Sequence, residues 1–124
     1  YKYNIIYLKE EKTFNDLRFI GKLRYDLFGI ILNVKDMQLY YFVIELDDSS
    51  HFKKSKDDTI YKDIMKEFYA WYKSYSLLRI RCEDNIYDNI DKFLNDITNS
   101  CHSIFCYSNV QKYDERIRDI IYNI

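Results

Sequence analysis

The chain has no proline and only two glycines in its 124 residues. No Pro/Gly-rich linker therefore divides it, and no glycine-rich loop is available to cradle a phosphate. It also lacks an internal repeat, a low-complexity tract, and any apolar run near the roughly 18 residues that a membrane span needs. No signal-like apolar block is present, and the first residues are YKYN instead of Met, which points to residues missing upstream of Tyr1. An excess of one charge is missing too, since 19 Lys and Arg against 20 Asp and Glu leave a net charge of −1. That balance excludes a strongly basic nucleic-acid coat and an acidic tail, so any polyanion site must be local. Cysteine is scarce: Cys82, Cys101 and Cys106 are odd in number and unevenly spaced, which excludes a disulfide framework. An intracellular, reducing compartment, cytoplasm or nucleus, is the expected setting. No nucleophile elbow and no Ser/His/Asp order appears.

What the chain does have is core-forming material. Apolar residues make up 48% and aromatics 19%, the composition of a folded domain. The length suits a single domain over 1–124, standing alone or as part of a longer protein. Residues 3–8 (YNIIYL), 23–32 (LRYDLFGIIL) and 39–46 (LYYFVIEL) are rich in aromatic and β-branched side chains and predict strands, with Gly21 as a turn residue and 33–38 as a polar hairpin loop. From 56 to 73 the period changes, and Ile60, Ile64, Phe68 and Trp71 recur at helical spacing, which predicts an amphipathic helix laying that stripe on the sheet. SLLRIR predicts a fourth strand, and Ile86, Ile90, Phe93, Leu94 and Ile97 a second helix. SIFCYS predicts a short last strand before a helix carrying Val110, Tyr113, Ile117 and Ile121. The order β-β-β-α-β-α-(β)-α is that of a mixed α/β sheet with helices packed on its faces, the third strand, first helix and fourth strand forming a right-handed crossover.

The strand at 39–46 runs directly into carboxylates and a histidine, in YFVIELDDSSH. Strand alternation puts Glu45 and Asp47 on one face and Ile44 and Leu46 on the other. A hairpin folded about Lys35 and Asp36 brings Asp26 opposite Glu45. Like charges directly opposed across a strand pair are destabilising, so two such carboxylates call for a cation between them, and hard oxygen ligands select Mg²⁺ or Mn²⁺. Asp26, Glu45 and Asp47 are the candidate metal ligands. His51 follows four residues after Asp47, and Asp63 and Lys66 sit on the next helix, Asp63 at the edge of its apolar stripe. Separate elements converge on one place.

LRYD, VIELDDSSHF and KDIMKEFYAWYKSYSLLRI also carry a resemblance. Over roughly Thr13 to Asp96, about two thirds of the chain, the sequence resembles the very-short-patch-repair-like branch of the PD-(D/E)XK restriction-endonuclease superfamily. Relatives in that branch run Leu-Arg-Phe-Asp, then Ile-Glu-x-Asp-Gly-x-x-His, then Arg-Asp-x-x-Lys, and end Leu-x-Arg-Ile. Asp26 falls on the first metal-binding Asp, Glu45 on the acidic residue of the next strand, and His51 and Asp63 on the later His and Asp. Lys62 takes the basic position before that Asp, and Lys66 that of the following Lys. The resemblance implies a restriction-endonuclease-like fold and Mg²⁺- or Mn²⁺-dependent hydrolysis of phosphodiester bonds in DNA. It implies catalytic roles for Asp26, Glu45, His51, Asp63 and Lys66, with His51 as general acid or base and Asp63 orienting it or completing the outer metal shell. Three departures stand out. Asp47 replaces the superfamily's catalytic Lys, although this branch commonly has Asp there, and Asp48 replaces the branch's Gly. Glu10 and Glu11 are poor substitutes for its leading Glu-bearing helix, and a solvated end of the first strand is the expectation for them.

Beside the cluster, Lys53, Lys54 and Lys62 are the candidate contacts to DNA phosphates, with Lys56 also nearby. Cys101, His102 and Cys106 with Cys82 lack a standard paired-cysteine zinc spacing, so reduced core cysteines are expected instead. A second reading of the whole chain is a catalytically silent nuclease-fold module for nucleic-acid binding or protein interaction.

Overall fold

The computed structural model describes residues 3–19, 21–48, 57–100 and 102–122. Three strands, β1 (Ile5–Phe19), β2 (Gly21–Asn33) and β3 (Gln38–Asp47), form an antiparallel meander. Helix α1 (Asp57–Tyr72) then leads to β4 (Ser76–Arg81), which pairs parallel to β3. Helix α2 (Ile86–Ser100), β5 (Phe105–Tyr107) parallel to β4, and α3 (Val110–Tyr122) complete the described chain. The five strands lie side by side in sequence order, and the mixed α/β architecture matches the expected succession of elements. No helix among the described residues is long and apolar enough to cross a membrane.

Two apolar cores flank the sheet. Tyr69 and Ala70 of α1 pack with Leu23, Tyr25, Val43 and Leu77 on one face. Phe93, Leu94 and Ile97 of α2 pack with Ile31, Phe42, Ile44 and Ile80 on the other. The β2–β3 register runs from Asn33↔Gln38 to Leu27↔Ile44, the pairing that a turn about Lys35 and Asp36 anticipates. Within it Gly29 faces Phe42, and a Cβ on Gly29 would lie 2.2 Å from the Phe42 ring. Glycine lets this buried ring lie across the partner strand, where it meets Phe93 edge-on at 6.1 Å.

Two expectations are corrected. β1 extends far beyond 3–8, through the charged stretch LKEEKTFNDLRF. An edge strand bonds on one side only and keeps its charged side chains in water, so its composition does not read as strand. Irregular register at Ile5/Tyr7 and Thr13/Arg18, and a positive φ of 52° at Glu11, break its alternation further. The second correction is the orientation of α1. Ile60, Asp63 and Ala70 are buried, whereas Ile64, Phe68 and Trp71 of the expected inner stripe face outward. The cause lies on β4, where Arg79 is fully buried and takes Asp63 and Glu67 as partners, one helical turn apart on the same side of α1. A buried guanidinium without them would carry a penalty of several kcal/mol. A half-exposed ring forfeits only part of its ~1.5–3 kcal/mol of burial.

Candidate active site where the β2–β3 ladder stops

The backbone ladder between β2 and β3 ends at Leu27↔Ile44, one residue short of Asp26 and Glu45. There side chains replace it. The Asp26 N–H donates to Glu45 Oε1 at 3.1 Å, and the Leu46 N–H donates to Asp26 Oδ2 at 2.7 Å. Each carboxylate thus closes the other strand's open backbone group. Alternation across a regular ladder would set both on one face, and this expectation is corrected, because they do not share one. Tyr25 belongs to the core under α1 and Leu27 to the core under α2, so β2 switches faces at Asp26, which lies in the seam. Asp26 is exposed and lines a cavity of about 440 Å³ with Glu10, Glu11, Leu46, Ile86 and Ile90. Glu45 is 2% exposed and turns toward α1, where Lys66 Nζ reaches its Oε2 at 3.1 Å. The Tyr25 hydroxyl donates to the Lys66 carbonyl oxygen at 2.6 Å and fixes that turn of α1 over the seam.

Burial pushes the Glu45 carboxyl up to about 6, against the pull of Lys66 and Arg79, and the nearby Asp26 charge adds a smaller upward push. The folded protein therefore holds this proton more tightly than the unfolded chain, whose reference value is 4.5. The matching stability is fully present below pH 4.5 and lost as pH rises through 6. Against a Glu45→Gln variant, the wild type should lose about 2 kcal/mol of relative stability across that window. Paired urea melts from pH 4 to 8 check this, and a difference independent of pH would remove the assignment.

Asp47 and Asp63 are not available as the expected site requires. Asp47 is fully buried, and Arg79 Nη1 approaches its two oxygens at 3.1 and 3.0 Å while the Tyr113 hydroxyl donates to Oδ2 at 2.7 Å. Asp63 receives Arg116 Nη1 at 2.7 Å and lies 3.4 Å from Arg79 Nη2. Glu67 accepts from Arg79 Nε at 2.7 Å. The alternation that sends Glu45 and Asp47 to one face is correct, but on that face the cation beside Asp47 is Arg79. As a metal ligand Asp47 is therefore corrected to an ion-pair partner, because Arg79 and Tyr113 occupy its oxygens. Arg79, Tyr113 and Arg116 are the site's neighbours that the sequence reading missed. The signal for Arg79 was an arginine inside an otherwise apolar strand, SLLRIR.

Residues 21–117 match the model of a family described as a family of unknown function (DUF5889). The chain belongs to that family. The matched span runs from β2 into α3, so Asp26, Glu45, Lys66 and the whole Arg79 network lie within it, while Glu10 and Glu11 on β1 lie outside. No curated protein and no solved structure shows a significant match to the chain.

Of the remaining candidates, His51, Lys53, Lys54 and Lys56 lie outside the described residues, as does Cys101. Lys62 is half-buried on α1. Cys82 is exposed instead of core, and Cys106 is half-buried on β5. Among the described residues, no group of three or more His, Cys, Asp or Glu is placed to hold a metal ion by side chains alone. Glu10 and Glu11, expected only as a solvated strand end, share the cavity with Asp26 because the long β1 carries them alongside β2.

Proposed function

We propose that the chain is a metal-dependent nuclease hydrolysing phosphodiester bonds in DNA at the Asp26–Glu45 seam. One observation carries this reading: β2, β3 and α1 bring Asp26, Glu45 and Lys66 together where the ladder stops, in the strand order that the resemblance implies. Mg²⁺ is commonly held through one or two carboxylates, with water and substrate phosphate oxygens completing an octahedral shell. Asp26, hard, anionic and exposed at the cavity, would be the direct donor, whereas Glu45, 2% exposed and held by Lys66 and the Asp26 N–H, would have to release Lys66 to join it. When bound, Mg²⁺ or Mn²⁺ would polarise the phosphate and lower the pKa of a water molecule.

The chain's own side chains supply the rest. Lys66 neutralises Glu45 and, with a little of its side chain open to solvent, offers its ammonium to a phosphate oxygen. His51 takes a proton from the attacking water, whose oxygen forms the new bond to phosphorus, or gives one to the leaving oxygen as the old bond breaks. Asp63, engaged by two arginines, supports α1 against β4. Lys53, Lys54 and Lys62 would meet flanking phosphates.

The experiment is a cleavage assay on single-stranded, duplex and branched DNA with and without Mn²⁺, run beside a thermal melt with metal. Cleavage only with metal and a higher melting temperature are expected. Neither effect at millimolar metal would leave the silent nuclease-fold module ahead. Two features favour that second reading: Glu45 is 2% exposed, and Asp47 and Asp63 are taken by arginine.

A further inference from the structure

Helix α1 carries an apolar face that no described residue covers. Tyr61, Ile64, Phe68, Trp71 and Tyr72 are 52, 45, 63, 66 and 67% exposed. Their spacing makes one stripe, which at 1.5 Å per residue runs roughly 16 Å along the helix. At 150–250 Å² per aromatic ring, the exposed parts come to on the order of 500–600 Å². That is at the upper end of what a monomer shows to water. Phe68 and Trp71 pack against each other at 5.8 Å. Beside them, between α1 and the end of β1, lies a groove of about 440 Å³ lined by Leu17, Ile64, Met65, Phe68 and Tyr69, with Asp16 and Arg18.

We propose that this face binds the same face of a second copy of the chain, α1 against antiparallel α1 about a twofold axis. Projecting rings and an apolar groove lie side by side on one helix, so a half-turn brings each copy's rings to the other's groove, the self-complementarity that an isologous contact needs. Ile64, Phe68 and Tyr72 of the stripe also line the groove, so the two are one surface, and two such faces together would bury roughly 1,000–1,200 Å², about the least that a specific interface buries. Charge does not oppose the contact, because each chain carries a net −1 and the groove holds one acid and one base. A nucleic-acid occupant fits less well, since the cations at this face are few: Arg18 in the groove, and Lys73, whose ammonium lies over the Tyr72 ring and 3.9 Å from Asp16. The inference stands apart from the nuclease reading: Lys66 and the seam lie under α1, and the stripe lies on its outer side.

Trp71 is the chain's one tryptophan, so its emission reports on this face alone. Sedimentation of the full chain, followed from low to high micromolar concentration, should pass from 15.3 kDa to about twice that mass. Trp71 emission should shift to the blue with the same midpoint. Phe68→Asp should weaken association roughly 30-fold or more, the effect of losing a central buried ring. At concentrations where the wild type is monomeric its melting temperature should stay close to that of wild type, because Phe68 is 63% exposed, and at dimer concentrations it should fall below it, since the wild type alone gains from association. Ile64→Lys is the second variant, with the same expected result. The proposal is overturned by a monomer at every concentration, whether its Trp71 emission is that of an exposed ring or already blue because the chain covers its own face. A dimer unaffected by either substitution, or capture of DNA by this face in preference to a second copy, also overturns it.

Discussion

Replacing Arg79 with methionine should lower folding stability by about 3–5 kcal/mol, which would unfold a large fraction of a domain at the weak end of the usual 5–15 kcal/mol range. Arg79 is 0% exposed, and its guanidinium meets Asp47, Glu67 and Asp63, with the Asp63 carbonyl accepting from Nη2 at 3.2 Å. Methionine fills most of the volume but takes from the fully buried Asp47 the guanidinium that approaches both of its oxygens. The loss comes from a stranded charge more than from a lost attraction. Arg79→Met combined with Asp47→Asn should therefore recover part of the stability, whereas two independent lesions would add. Urea denaturation at neutral pH measures both proteins. A single mutant within 1 kcal/mol of wild type, on the order of an exposed pair, would mean that the network is not what holds α1 on the sheet.

Asp26→Asn should abolish metal-dependent cleavage while leaving the fold intact. Asparagine keeps an oxygen to accept the Leu46 N–H, now at 2.7 Å, so the seam stays closed, but the hard anionic donor that Mg²⁺ requires is gone. Removing the charge also relieves its upward push on Glu45, so the metal-free variant should melt no lower than wild type. His51→Ala should differ, slowing the reaction by roughly 10² to 10⁴, the usual worth of a general acid or base, with metal affinity nearly unchanged. Melting temperature without metal, Mn²⁺ affinity and cleavage rate, measured on both variants, separate the two roles. An Asp26→Asn protein that melts lower and still cuts would sink the assignment of this seam as the active site.

The strand and helix order was legible in the sequence because it rests on local periodicity. The β2–β3 register was legible as well, since a short polar loop between two apolar runs leaves few ways to pair them. So were Asp26 and Glu45 as neighbours, and the burial of Phe93, Leu94 and Ile97 by α2. What tertiary structure alone decided was where each charge finds its partner. Periodicity counts Phe68 and Trp71 as core and sets Asp63 at the edge of the stripe, and the fold turns the rings outward and buries Asp63 because Arg79, distant in sequence, lies under the helix. The same long-range pairing takes Asp47 from a metal to Arg79. The switch of β2 at Asp26 sets that carboxylate in a seam instead of on a face. A local pattern reports which side chains avoid water, and only the packed fold determines which buried charges must meet, since that interaction depends on distances the sequence does not contain.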